Sequence, residues 1–208
     1  MSLQIKTFVG GPVETNAYLV ADEETGEATI VDAPAGVTAE VVAAVEEAGW
    51  TLRQLVLTHA HWDHIVDAAA LRQATGGNLA AHPLAVERLA APASLMGELP
   101  VEITPTAPDR LLNDGDEVRV GGHTFRVMHL PGHDPAHIVL FSETDRLFFG
   151  GDVVFPGGHG RTDLPEADQA TMDRSLARIS ELPPDLVVYP GHGAPTTLGA
   201  EAGWIGGA

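Results

Sequence analysis

Residues 54–64 read Gln-Leu-Val-Leu-Thr-His-Ala-His-Trp-Asp-His, and the interpretation of the whole chain starts from this stretch. Gln54 to Thr58 is a short apolar run that predicts a buried strand. Three histidines and an aspartate follow it directly: His59, His61, Asp63 and His64. On an extended backbone the first two share one face, while the last two begin a helix and turn back toward them. Imidazole and carboxylate groups bind zinc at about 2.0–2.2 Å, so this loop can serve two neighbouring metal ions.

Three more candidate ligands each follow a predicted strand. His133 ends the run Leu-Pro-Gly-His, Asp152 ends Phe-Gly-Gly-Asp, and His192 lies within Tyr-Pro-Gly-His-Gly. The two glycines before Asp152 let the backbone pack close to a site. Any one of them alone is typical of a turn. Together they supply the ligands that the first loop lacks.

The rest of the chain predicts alternating strands and helices in a single domain, residues 1–208. Strands are predicted at 16–21, 28–32, 54–58, 78–81, 117–120, 123–129, 138–142, 146–149 and 186–189. Helices are predicted from Thr38, as the cap, to Gly49, and over 64–75 and 166–181, with only a short tail after the last strand. This order favours an α/β fold in which two sheets pack together with helices outside.

Composition excludes several classes of function. The chain has 11 basic and 29 acidic residues, a net charge of −18, which repels nucleic acids and anionic membranes. It has no cysteine, so any metal is held by imidazole and carboxylate. No apolar run approaches the ~18 residues of a membrane span, and the N-terminus lacks the features of a secretory signal. We therefore expect a cytoplasmic protein that acts on a small molecule, with its oligomeric state open.

The motifs resemble the metallo-β-lactamase superfamily, and most closely its glyoxalase II-like branch. The matching segments are Thr-His-x-His-x-Asp-His at 58–64, Pro-Gly-His at 131–133, Gly-Asp at 151–152 and Pro-Gly-His-Gly at 190–193. Asn-Ala-Tyr-Leu-Val at 16–20, Ile-Val-Asp at 30–32 and Gly-Arg-Thr-Asp-Leu at 160–164 are also similar to segments of this branch. The resemblance implies an αββα sandwich of two mixed β-sheets with helices on the outer faces.

The resemblance also implies a role for each candidate ligand. One metal ion would be held by His59, His61 and His133, a second by Asp63, His64 and His192, and both would be bridged by Asp152. Zn²⁺ is the expected metal, with iron or manganese as alternatives. A hydroxide shared by two ions about 3.5–4 Å apart would attack a carbonyl. Asp63 would orient this nucleophile or take up its proton. The implied reaction is hydrolysis of a hydroxyacyl thioester.

The sequence departs from the family pattern at several places. Asp134 stands where threonine is usual, Ala136 where glycine is usual, and the segment 65–67 lacks the glycine usual near the helix start. No ligand is lost, but the pocket wall is expected to differ. Only residues 193–208 follow His192. We therefore expect the helical extension that grips glutathione in longer members to be missing, which leaves the thiol carrier open.

Several polar residues have two interpretations. His137 either supports a ligand through a hydrogen bond or is an ordinary strand residue, and Arg161 either meets an anionic substrate or pairs with Asp163. Asp32 is expected from the resemblance to orient the histidine loop. His129 is predicted in the core. The remaining histidines are predicted at the surface: His82, His123 and His159.

Two rival functions share most of the motifs. One is an oxidoreductase, a persulfide dioxygenase with a single iron held by His59, His133 and Asp152. The other is a metallo-hydrolase that acts on another ester, a lactone or a lactam. Metal content separates the classes, because two zinc ions favour hydrolysis whereas one iron with oxygen uptake favours oxidation.

Overall fold

The computed structural model describes residues 2–95 and 97–206. The first half of the chain forms a six-stranded sheet in the order β1-β2-β3-β4-β5-β6. These strands are β1 (Leu3–Gly10), β2 (Thr15–Asp22), β3 (Glu27–Val31), β4 (Thr51–Val56), β5 (Asn78–Ala81) and β6 (Arg110–Leu111). β1, β2 and β3 pair antiparallel, and β3 to β6 pair parallel.

The second half forms another six-stranded sheet in the order β12-β11-β10-β9-β8-β7. Its strands are β7 (Glu117–Val120), β8 (His123–His129), β9 (Ile138–Ser142), β10 (Leu147–Gly151), β11 (Val187–Pro190) and β12 (Thr196–Thr197). In the part of this sheet that the structure describes, only β10 and β11 pair parallel. Both sheets are therefore mixed, and each is built from consecutive strands of the chain.

Three apolar layers define the sandwich. Tyr18 and Val56 of the first sheet pack against Phe125 and Phe149 of the second, between the two sheets. The outer face of the first sheet is covered by α1 (Thr38–Ala48) and α3 (Ala68–Thr75), and that of the second by α5 (Gln169–Ile179) and α6 (Leu198–Ile205). This arrangement confirms the predicted αββα sandwich of two mixed sheets. Among the described residues, no helix is long and apolar enough to cross a membrane.

The predicted helix over 64–75 is wrong as a single element. The structure has α2 (Trp62–Ile65) and α3, with Asp67 between them. Asp67 Oδ2 accepts hydrogen bonds from the backbone N–H and the hydroxyl of Thr38, at 2.9 and 2.7 Å. The break thus provides a carboxylate for the N-terminus of α1, where it stabilises unpaired N–H groups. The Thr38 side chain is therefore a donor to Asp67 rather than the cap of its own helix, whereas Gly49 ends that helix as predicted, with φ of 67°.

Other boundaries also differ from the prediction. β1 was not predicted, and α6 occupies the segment predicted as a short tail. The helix predicted over 166–181 is shorter, because Asp168 caps α5 by accepting a hydrogen bond from the Thr171 N–H at 2.8 Å. A short helix, α4 (Val86–Ala90), follows a 3-10 turn at Pro83–Ala85.

Candidate metal centre

The histidine loop begins where β4 ends and is held by Asp32, directly after β3. Asp32 adopts φ of 64°, and its carboxylate accepts hydrogen bonds from the Thr58 N–H at 2.7 Å and the Thr58 hydroxyl at 2.8 Å. It also lies 2.9 Å from His64 Nδ1. A proton held on that nitrogen leaves Nε2 of His64 as the metal-binding atom. Asp32 therefore orients the loop, as the resemblance implied.

The candidate ligands of the second half are oriented in the same way. His133 Nδ1 lies 2.8 Å from the carbonyl of Arg161, and His192 Nδ1 lies 3.0 Å from the carbonyl of Val13. A carbonyl only accepts, so each ring donates through Nδ1 and turns Nε2 inward. The backbone N–H of Asp152 donates to His137 Nε2 at 3.0 Å. His137 is fully buried, so it supports the aspartate loop rather than being an ordinary strand residue.

Two glycines allow these loops to approach each other. A Cβ on Gly191 would lie 2.1 Å from Oδ1 of Asp152 and 2.8 Å from Cε1 of His64. A Cβ on Gly151 would lie 2.7 Å from Nε2 of His137, and this glycine also has φ of 47°. A side chain at Gly191 would push Asp152 and His64 apart, and one at Gly151 would displace the supporting His137. The Pro-Gly-His and Gly-Asp motifs are thus a requirement of packing at the site.

The structure brings all seven predicted ligands together. Candidate ligand atoms lie within 4.8 Å of one another in three groups: His59 with His61 and His133, His59 with His64 and Asp152, and Asp63 with His64 and His192. Asp152 lies between the others, with Oδ1 3.4 Å from His64 Nε2 and Oδ2 3.3 Å from His133 Nε2. The first and third groups are the two sets that the family pattern implied.

Unpaired buried atoms show what these groups fit. Within the described residues, Nε2 of His59, His64 and His133 and Oδ1 of Asp152 are buried without a hydrogen-bond partner. Buried polar atoms without partners are costly, and several that face one point are typical of ion ligands. The donor set, imidazole with carboxylate, is one that divalent transition metals prefer. The clusters therefore fit a divalent metal site.

The chain alone shows strongly perturbed protonation here. Burial raises the pKa of the Asp63 carboxyl, but the charge of His64 and a hydrogen bond with His192 lower it more, so the pKa falls to about 2. Burial and the charge of His133 lower the pKa of His61 to about 4. Burial opposes ionisation of Asp152 too, yet the neighbouring imidazoles hold its pKa well below the usual range. The carboxylates are thus ionised and ready to bind a cation.

The start of β2 carries site residues that sequence analysis did not assign. Thr15 donates through Oγ1 to Oδ2 of Asp63 at 2.8 Å. Asn16 donates through Nδ2 to the carbonyls of Pro190 and Gly193, both at 2.9 Å, and Tyr18 donates through its hydroxyl to Pro190 at 2.6 Å. These bonds fix the loop that carries the last predicted ligand. The Asn-Ala-Tyr segment was recognised in the sequence, but only the fold shows which loop it holds.

Two cavities open onto the candidate metal centre. One, of about 300 Å³, is lined mainly by apolar groups such as Ala60, Trp62 and Leu95, with Arg88 in its wall. The other, of about 580 Å³, is lined by Phe155 and Pro156 among others. Both include His133, Asp152, Arg161 and His192, so the candidate ligands form a floor common to two cavities.

Three predictions about other side chains can be compared with the structure. Arg161 pairs with Asp163 through two hydrogen bonds, at 2.8 and 2.9 Å, which is the structural alternative for this arginine. The surface prediction for His82 and His123 is wrong, because both are only 8% exposed. His82 stacks on the half-buried His129, and His123 pairs with Asp145 at 2.7 Å. These partners are distant in sequence, so no local pattern indicated the burial.

Comparison with known proteins places the chain in a family. The Metallo-beta-lactamase superfamily pattern matches residues 10–192. Hydroxyacylglutathione hydrolase GloC of Haemophilus influenzae is 36% identical over 194 residues, covering 90% of each chain. A hydroxyacylglutathione hydrolase of Cereibacter sphaeroides is 38% identical over 176 residues, which cover 85% of this chain and 61% of that protein. The chain therefore belongs to the metallo-beta-lactamase superfamily.

Several solved structures resemble this chain over nearly its whole described length. The crystal structure of the BLEG-1 B3 metallo-beta-lactamase has a TM-score of 0.88 at 32% identity, covering 96% of this chain and 97% of that one. TTHA1623 in a di-iron-bound form has a TM-score of 0.77 at 33% identity, covering 95% and 96%. ETHE1 from Myxococcus xanthus has a TM-score of 0.79 at 28% identity, covering 95% and 81%. The family and these relatives support the conclusion that the chain is an enzyme of the metallo-hydrolase superfamily with a divalent metal site.

Proposed function

We propose that the chain is a binuclear metal-dependent hydrolase that cleaves a hydroxyacyl thioester, in the manner of glyoxalase II. The observation that carries the proposal is the convergence of two three-residue ligand groups around Asp152. Relatives named hydroxyacylglutathione hydrolase, at 36 and 38% identity, support the choice of a thioester. The proposed substrate is a small molecule.

The proposal assigns each ion to its own ligand group. His59, His61 and His133 would hold one divalent ion, and Asp63, His64 and His192 the other, with Asp152 touching both. Zinc is the expected metal, since a nitrogen of neutral imidazole and a carboxylate oxygen are its usual ligands in the absence of cysteine. The bound ions would supply Lewis acidity toward a carbonyl oxygen and lower the pKa of water.

Asp63 is the proposed catalytic residue of the chain itself. Its Oδ2 accepts from Thr15 and lies 3.3 Å from Nε2 of both His64 and His192, at the floor of the smaller cavity. The carboxylate would accept a hydrogen bond from water and orient it, or take up its proton. A thiolate leaving group is stable, and no general acid is required.

The two cavities would divide the substrate at its reacting carbonyl. The smaller cavity, with Ala60, Trp62 and Leu95 in its wall, excludes water from a compact acyl group. The larger one leaves room for a thiol carrier. Arg161 borders both, but its guanidinium is engaged by Asp163 and is only partly available to a carboxylate of the carrier. Glutathione is therefore one candidate carrier among several thiols.

A persulfide dioxygenase is the second candidate function, because ETHE1 is among the structural neighbours. One iron held by His59, His133 and Asp152 would suffice for it. The complete group of Asp63, His64 and His192 favours the binuclear hydrolase, since a single-ion enzyme has no need of it. The similarity to BLEG-1 makes a lactam the other substrate to test.

The test begins with metal content. Protein reconstituted with zinc, iron or manganese would be assayed for bound metal, for hydrolysis of lactoyl-glutathione, other thioesters, a lactone and a lactam, and for oxygen uptake with a persulfide. We expect two ions per chain and thioester hydrolysis. His61→Ala and Asp63→Ala should lose turnover, whereas His123→Gln, a buried histidine that pairs with Asp145, should retain it. One iron with oxygen uptake, or full activity in either alanine variant, would contradict the proposal.

A further inference from the structure

Asp134 is a fully buried carboxylate directly after a predicted ligand, and the proposed mechanism does not use it. Its Oδ1 accepts from the Ala136 N–H at 2.6 Å. Its Oδ2 accepts from Nη1 of Arg88 in α4 and lies 3.4 Å from Nε2 of His61. A buried carboxylate is costly unless it is paired and hydrogen-bonded. Arg88 therefore supplies the counter-charge that this buried carboxylate needs beside the candidate metal centre.

His61 differs from the other four candidate histidine ligands in how its ring is held. Those four each have a polar oxygen within 3.0 Å of Nδ1, and they are His59, His64, His133 and His192. At His61 the nearby carboxylate of Asp134 faces Nε2 instead. Within the described part of the chain that Nε2 is buried and has no hydrogen bond of its own. A proton on Nε2 directed at Asp134 would leave Nδ1 as the atom that faces the metal.

We propose that Asp134 is a positioning residue that selects the tautomer of His61 and thereby directs Nδ1 to the first metal ion. Arg88 serves Asp134 by fixing the direction of its carboxylate. Arg88 is itself only 18% exposed in its side chain and has Glu166 at 3.5 Å. Neutral imidazole that donates to a carboxylate is also a stronger ligand, since the partner raises the basicity of the ring.

The pair also connects the ligand with the substrate cavity. Arg88 lines the smaller cavity together with His61 and Leu95. Arg88 thus borders the proposed space for the acyl group and also binds Asp134, the carboxylate beside His61. Because the single charge of Arg88 faces two carboxylates, Asp134 and Glu166, this wall carries no excess positive charge. Its main effect is therefore on the ligand rather than on attraction of an anionic substrate.

The inference rests on the metal assignment of the proposed function, and zinc binding tests it independently of activity. In Asp134→Asn, the amide must turn its NH₂ either toward Arg88 and His61 or toward the Ala136 N–H, so donors meet donors. In the double variant Arg88→Met/Asp134→Leu, both charges are removed together, which avoids an unpaired buried charge. We expect both proteins to lose roughly 10- to 100-fold in affinity at one of two zinc sites, with the other unchanged.

Two further measurements separate positioning from general destabilisation. Arg88→Met alone keeps the carboxylate, so it should lose clearly less zinc affinity than either protein changed at Asp134. Nitrogen-15 NMR of the zinc-loaded wild type should show His61 protonated on Nε2, and this signal should be lost or exchange rapidly in the double variant. Denaturation midpoints would verify that each protein is folded.

The outcomes are distinct. Wild-type zinc affinity at both sites in the double variant, or His61 protonated on Nδ1 in the wild type, would overturn the inference and leave the proposed hydrolase intact. Two zinc ions in the wild type with no hydrolysis would contradict the proposed function alone, because the affinities would still test Asp134.

Discussion

Replacing Asp32 by asparagine is expected to weaken metal binding while leaving the shape of the site unchanged. Asparagine has the same shape as aspartate and tolerates φ of 64°. Its single acceptor oxygen will stay with the Thr58 N–H, now 2.7 Å from Oδ1. The NH₂ group then replaces Oδ2, 2.9 Å from His64 Nδ1. Since that nitrogen must now accept, the imidazole proton moves to Nε2, the atom that faces the metal.

The size of the effect follows from the bond that is lost. A hydrogen bond to a charged group contributes about 1.5–3 kcal/mol. At about 1.4 kcal/mol for each tenfold change, metal binding by His64 should weaken roughly 10- to 140-fold. Because His64 belongs to the group with Asp63 and His192, the loss should concentrate in one of two zinc-binding steps.

Isothermal titration of the metal-free protein with zinc, alongside a competing chelator, measures both steps. Asp22→Asn is the matched control, because Asp22 is a buried carboxylate at the end of β2 that accepts from the N–H groups of Gly122 and Glu24, both at 2.9 Å. It contacts none of the candidate ligands, so both affinities should stay at wild-type values. Equal zinc affinity in Asp32→Asn and the wild type would refute the reasoning.

Three other perturbations follow from the structure. Gly191→Ala places a methyl group against Asp152 and should weaken both zinc affinities at least tenfold. Gly158→Ala, with open space around it, should leave them unchanged. Equal zinc affinities of the two variants in a titration would contradict this prediction. Burial and the neighbouring His129 lower the pKa of His82 to about 4 from an unfolded value near 6.5, so stability is lost as pH falls through that window. The free energy of unfolding of His82→Gln, measured with urea and without metal, should therefore fall less between pH 7 and 5 than that of the wild type. Equal falls in the two proteins would contradict this prediction. Zinc at 100 times its Kd should stabilise the chain by about 2.7 kcal/mol, or roughly 5–11 °C in Tm, and a chelator should reverse the shift. An unchanged Tm would contradict the expectation that zinc binds the folded chain in preference to the unfolded chain.

The seven candidate ligands could be predicted from sequence because they lie in four segments that each come after a strand. Thr58 to His64 is continuous, and the glycines before Asp152 indicated close backbone approach. Strands that end at the same edge of a sandwich bring such loops together. In the structure these side chains lie close together, and the αββα arrangement follows from the same order of elements.

Elements that depend on distant partners were not predictable. Asp67 interrupts the helix pattern because its carboxylate binds Thr38, 29 residues earlier. His82 and His123 are polar residues whose burial depends on His129 and Asp145, which no local periodicity reveals. Long-range contacts of this kind override the local preference for a polar surface or an uninterrupted helix.

Asp134 illustrates the same limit at the site. Its position after His133 was noted as unusual, but the sequence could not show that Arg88, 46 residues earlier, supplies its counter-charge. The pairing depends on α4 packing beside the loop that follows β8. The sequence therefore predicted the candidate metal ligands better than the residues that position them.

The division of the fold into two consecutive sheets has a consequence for engineering. His59, His61, Asp63 and His64 belong to the part that ends with β6 at Leu111, and His133, Asp152 and His192 to the part that begins with β7 at Glu117. A chain cut at the turn around Asp114 would give two fragments, each with an incomplete set of donors. Divalent cations should then drive their reassembly, so that the split protein becomes a reporter of free metal.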